Sequence, residues 1–119
     1  LLALSTGIAA AASHGNSNVM SGKVAGEVYI MNETHMAVYT YDKDEPGVSN
    51  CYGPCADKWP PVLLDADADM PESYTLIKRK DGNMQVAYKN QPLYLWVGDA
   101  KIGDMKGDGV GGVWRLARP

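Results

Sequence analysis

Two kinds of hydrophobic pattern divide this chain, and neither belongs to a long helix. Residues 1–12 (LLALSTGIAAAA) form an unbroken run of apolar and small residues, followed by a polar stretch over 13–18. From Lys23 onward the apolar positions come in short runs whose side chains alternate faces, as strands require. Residues 24–31 (VAGEVYIM) and 36–41 (MAVYTY) are rich in β-branched and aromatic residues. With Asn32-Glu33-Thr34 between them they predict a hairpin with a short loop. Residues 74–80 and 83–89 flank Asp81-Gly82 and predict a second hairpin, closed by a two-residue primed turn. Asn90-Gln91-Pro92 turns the chain into a further strand at 93–97 (LYLWV), and the last strand falls at 113–117. Residues 55–59 fit one helical turn, stopped by Pro60-Pro61. The fold class that follows is mostly β: a small antiparallel meander or sandwich-like domain with one short helix. Residues 1–22 stand apart as an apolar N-terminal arm, and 23–119 form a single β domain.

Charge and length narrow the function. The chain has 119 residues and a net charge of −3, with 11 Lys+Arg against 14 Asp+Glu. It lacks the clustered bases that capture nucleic acid, so no nucleic-acid partner is expected. There is room for one modest core and none for a separate cofactor domain. Residues 42–72 hold eight acids and two bases, whereas the first 22 residues hold no Lys, Arg, Asp or Glu. That charge-free run matches a signal-peptide core, with Ala10-x-Ala12 as the small-residue cleavage pattern. It is shorter than the roughly 20 apolar residues of a transmembrane span. Read as a retained arm instead, its Leu1, Leu2, Leu4 and Ile8 need a surface to cover them. Docking on a neighbouring subunit would give self-association and, without closure, a surface filament. Both readings place the protein outside the cytoplasm, whether secreted, periplasmic or on the cell surface.

The folded region repeats itself once. Tyr39-x-Tyr41-x-x-Asp44 and Tyr94-x-Trp96-x-x-Asp99 share one pattern, and each is closed by a Trp, Trp59 and Trp114. On a strand the first and third residues face the same way. Each copy therefore presents two rings on one face and an Asp placed to cap the next turn. Such rings either fill a core in a chain that has no Phe or offer a surface to a ring-shaped or sugar ligand. The two copies, with Cys51-x-Gly53-x-Cys55-Ala56-x-x-Trp59-Pro60-Pro61 and Gly107-Asp108-Gly109-x-Gly111-Gly112-x-Trp114, resemble a known family. It is the secreted-repeat family of predicted lipoproteins defined by a Tyr-x-aromatic-x-x-Asp motif. The resemblance covers about residues 36–119 and implies export and a small repeat-built domain. It implies no chemistry, because that family has no assigned function.

Candidate chemistry is sparse. Cys51 and Cys55 are the only cysteines. With Gly and Pro between them in an exported chain, they predict a disulfide closing a tight loop. Met31, His35 and Met36 form the densest cluster of soft ligands, a set that selects copper, although Met also serves as core filler. A calcium loop beginning at Asp104 fails where Lys106 and Arg115 stand at ligand positions. No nucleophile elbow, zinc-helix motif or phosphate loop is present, so catalysis is not expected. Two classes stay open. The first is a non-enzymatic structural or assembly protein whose arm docks on a neighbouring subunit. The second is a monomeric binding module for copper or a small ligand.

Overall fold

The computed structural model describes residues 19–24 and 27–119, with side chains from Val28 onward. Leu1, Leu2, Leu4 and Ile8 of the arm lie outside the described residues. The fold is mostly β, with short antiparallel strands in three small sheets and one short helix.

Strand β1 (Val19–Val24) pairs with β2 (Glu27–Asn32), Val19 opposite Asn32. The strand thus begins four residues before Lys23. β2 then meets Ala37 through a bridge at Met31. The turn between them is organised by Asn32, whose Oδ1 accepts the N–H groups of Thr34 and Met36 at 3.1 and 3.0 Å. Strand β3 (Tyr39–Tyr41) pairs with the last strand, placing Tyr41 opposite Trp114. Helix α1 (Pro54–Lys58) opens on a proline, whose fixed φ suits a first turn. Strands β4 (Tyr74–Lys78), β5 (Met84–Tyr88) and β6 (Gln91–Pro92) form the three-stranded sheet. The closing strand is β7 (Trp114–Leu116).

Three expectations need correction. Residues 24–31 are not one strand, because β1 ends at Val24 and β2 begins at Glu27, and the two pair with each other. The β4–β5 hairpin closes through Lys80-Asp81-Gly82, because Arg79 N–H already donates to Asn83 at 2.8 Å and Gly82 N–H to Arg79 at 3.0 Å. Gly82 sits at φ +90°, so this is a three-residue turn with a left-handed glycine, not a two-residue primed one. The strand expected at 93–97 is reduced to a bridge residue, Tyr94, which pairs with both Tyr39 and Pro61, while β6 takes in Gln91 and Pro92 of the expected turn.

Segments 29–31 and 37–39 are buried on both faces, and period two sorts the buried residues into two cores. Tyr29, Met31, Ala37, Tyr39, Trp59, Tyr94, Trp114 and Leu116 make an aromatic core. The intervening Ile30, Val38, Val62, Val86, Leu93 and Ala117 make an aliphatic one. The aliphatic six are two matching triplets. Ile30 N–H donates to Ala117, Ala117 N–H to Val38 and Val38 N–H to Ile30; Val86, Val62 and Leu93 close the same ring of bonds. The two halves of the chain therefore share one backbone plan around a local two-fold axis.

Candidate functional site

Tyr39 and Tyr94 face each other across that axis. Each N–H donates to the other's carbonyl, at 2.8 and 2.9 Å. Their hydroxyls then cross over. Tyr39 donates to Asp99 Oδ2 at 2.6 Å, and Tyr94 donates to Asp44 Oδ2 at 2.6 Å. Each copy of the motif thus holds the carboxylate of the other. The remaining carboxylate oxygens stay local: Asp44 Oδ1 accepts the Asn50 N–H at 2.7 Å and Asp99 Oδ1 the Lys106 N–H at 2.9 Å. Burial first, and then the carboxylate each one bonds, raises both tyrosine pKa values above the ordinary 10.0. Both hydroxyls are accordingly fixed as donors.

The other rings form a column. Tyr41 stacks on Trp114 at 4.1 Å, Trp114 on Trp59 at 3.8 Å, and Trp59 on Trp96 at 4.2 Å between ring centres. The two-fold passes through the Trp59–Trp114 pair, whose planes differ by 3°. Tyr39 meets Trp59 edge-on at 5.5 Å, and Tyr94 meets Trp114 in the same way at 5.2 Å. Offset and edge-to-face contacts of this kind add to the gain from burial. Gly107 permits the close packing: a Cβ there would stand 2.9 Å from both Trp59 and Tyr39.

The halves differ in what surrounds each Tyr–Asp pair. Around Tyr94 and Asp44 lies a buried polar network. Arg79, 4% exposed, donates to Ser49 Oγ at 3.1 Å, Gln85 Oε1 at 2.8 Å and the Cys51 carbonyl at 3.0 Å. It also lies 4.3 Å from the centre of the Tyr52 ring. Ser49 Oγ is 2.6 Å from the Tyr94 hydroxyl. Burial raises the Asp44 pKa, opposed by the Tyr94 and Asn50 hydrogen bonds and by the Arg79 charge. Around Tyr39 and Asp99 there is no such guanidinium; the Tyr39 hydroxyl accepts the Gly107 N–H at 3.2 Å instead. Tyr29, which precedes Ile30 as Gln85 precedes Val86, is fully buried with no partner for its hydroxyl among the described residues. Arg79, Ser49 and Gln85 carried no signal in the sequence, since a basic residue beside a hairpin turn reads as solvated.

Cys51 and Cys55 are joined in a disulfide, with Cα atoms 5.3 Å apart. Met31 is buried, His35 is exposed at φ +65° and Met36 is half-buried. The three therefore share no open face. Among the described residues no group of three or more His, Cys, Asp or Glu is placed to hold a metal ion. Nor, among the described residues, is any helix long and apolar enough to cross a membrane. A cleft lies at either end of the ring column. The Tyr41 end is polar, about 180 Å³, and lined by Asp44, Glu45 and Lys89 among others. The Trp96 end is apolar, about 200 Å³, and walled by Met36, Pro60, Leu95, Trp96 and Val97, with Asp99 as its charged group.

A family described as a secreted repeat of unknown function matches residues 29–63 and again residues 75–118. One copy of the tyrosine motif falls in each matched segment. No curated protein and no solved structure matches the chain.

Proposed function

The chain belongs to this family of secreted repeats of unknown function and is extracytoplasmic, and from that premise we propose a non-enzymatic structural protein that assembles through its N-terminal arm. One observation carries the non-catalytic part of this reading. The motif's hydroxyls and carboxylates are engaged with one another at 2.6 Å, and its rings are stacked on one another. Catalytic groups of the same types would be aimed at a substrate position. The assembly part is supported by the apolar run over 1–12, whose Leu1, Leu2, Leu4 and Ile8 read as side chains in need of cover.

Sedimentation velocity on the full chain, and on the chain lacking residues 1–18, tests it. The expected result is a multimer that becomes a folded monomer on truncation. A full chain that sediments as a monomer at every concentration overturns the assembly reading. The alternative, a monomeric binding module, is favoured by the apolar cleft at Trp96. Copper held by Met31, His35 and Met36 draws no support from it, because Met31 is enclosed in the aromatic core.

A further inference from the structure

The two motif carboxylates occupy matching positions, yet their charges are met differently. Asp44 is influenced by the buried Arg79. Asp99 has no cation paired with it among the described residues. It accepts hydrogen bonds from Tyr39 and Lys106, which orient the carboxylate without neutralising it. It is also the charged group of a cleft walled by an indole, a thioether and aliphatic side chains. A carboxylate and an indole lining one otherwise apolar concavity are an arrangement suited to alkylated ammonium groups. A hydrated metal ion would find no second charged ligand there, and a neutral apolar ligand would leave the carboxylate unanswered. The cleft's volume of about 200 Å³ suits one small head group.

From this geometry we propose that the cleft between Met36 and Trp96 binds a small organic cation, an alkylammonium or quaternary ammonium group, with Asp99 as its counter-charge. This site is independent of the assembly reading and does not require the arm.

The test is a titration of the full-length, oxidised protein with choline, followed on the indole N–H resonance that disappears in Trp96→Phe. The neutral isostere 3,3-dimethylbutan-1-ol serves as the control for size. Choline is expected to shift that resonance saturably with a millimolar Kd, and the alcohol to bind at least about fivefold more weakly. Asp99→Asn should weaken choline by a similar factor, but it also removes the acceptor for Tyr39. Met36→Lys therefore provides the second variant, placing a positive charge in the cleft without touching the Tyr39–Asp99 pair. It should weaken choline at least about fivefold while the remaining resonances stay dispersed. Equal binding of the alcohol, undiminished binding by Met36→Lys, or no saturable shift up to about 50 mM choline overturns the proposal.

Discussion

The two halves of this molecule share a backbone plan and differ in chemistry. In both, a tyrosine hydroxyl crosses the two-fold to the other half's aspartate at 2.6 Å. The half around Tyr94 supplements that pair with Arg79, Ser49 and Gln85. The half around Tyr39 uses one backbone N–H and keeps a buried hydroxyl on Tyr29 without a partner among the described residues. Shared geometry therefore resides in the rings, the aspartates and the aliphatic triplets. The polar residues around them differ between the halves: the same clasp is backed by a buried side-chain network on one side and by one backbone N–H on the other.

Substitutions can break that comparison. The largest effect is expected at Arg79, whose removal leaves the Cys51 carbonyl and Gln85 without their buried donor. Arg79→Leu should lose about 2–4 kcal/mol in urea denaturation, because two neutral buried acceptors lose their donor at about 1–3 kcal/mol each. A loss under about 1 kcal/mol at Arg79 would show that the network is ornamental.

Next come the hydroxyls themselves. Tyr39→Phe and Tyr94→Phe should each cost about 1–3 kcal/mol, because each leaves one carboxylate oxygen without its donor. Both tyrosines also give the fold an alkaline limit. Their folded pKa values lie above the unfolded 10.0, so their stabilisation is complete below about pH 10 and is lost as pH rises toward the folded values. Denaturation midpoints measured between about pH 9 and 11 should fall, and fall less steeply in either Phe variant.

The smallest effect sharpens the contrast from the other side. Tyr29→Phe removes a hydroxyl that has no partner to lose among the described residues, so it should be neutral or stabilising by up to about 1 kcal/mol. A destabilisation of more than that, seen as a lower urea midpoint, would mean that Tyr29 is bonded after all.

What the sequence disclosed, and what it withheld, follows from the range of the interactions. The motif copies, the Cys51–Cys55 pair and the helical turn before Pro60 depend on neighbours within a few residues, and all could be read directly. Spacing also indicated that Asp44 and Asp99 would serve the turns that follow them, and one oxygen of each does so. The second oxygen binds a tyrosine in the other half, a partner that spacing within one motif cannot reveal. The stacking of Trp59 on Trp114 is hidden for the same reason. Asp81-Gly82 was legible as a turn but not its length, because the Arg79–Asn83 hydrogen bond decides where the strands stop. The burial of Arg79 opposes the usual preference of a basic side chain beside a turn, and only the enclosing network reverses it.

The crossed tyrosine–aspartate bonds also fix how this unit can be counted. A single repeat carries a donor whose acceptor belongs to a second repeat, and an acceptor waiting for that repeat's donor. Such a segment is half of a reciprocal pair, and alone it would satisfy itself only by meeting another copy face to face around the same axis. The unit of this fold is therefore the couple of repeats, each completing the other's tyrosine–aspartate bond.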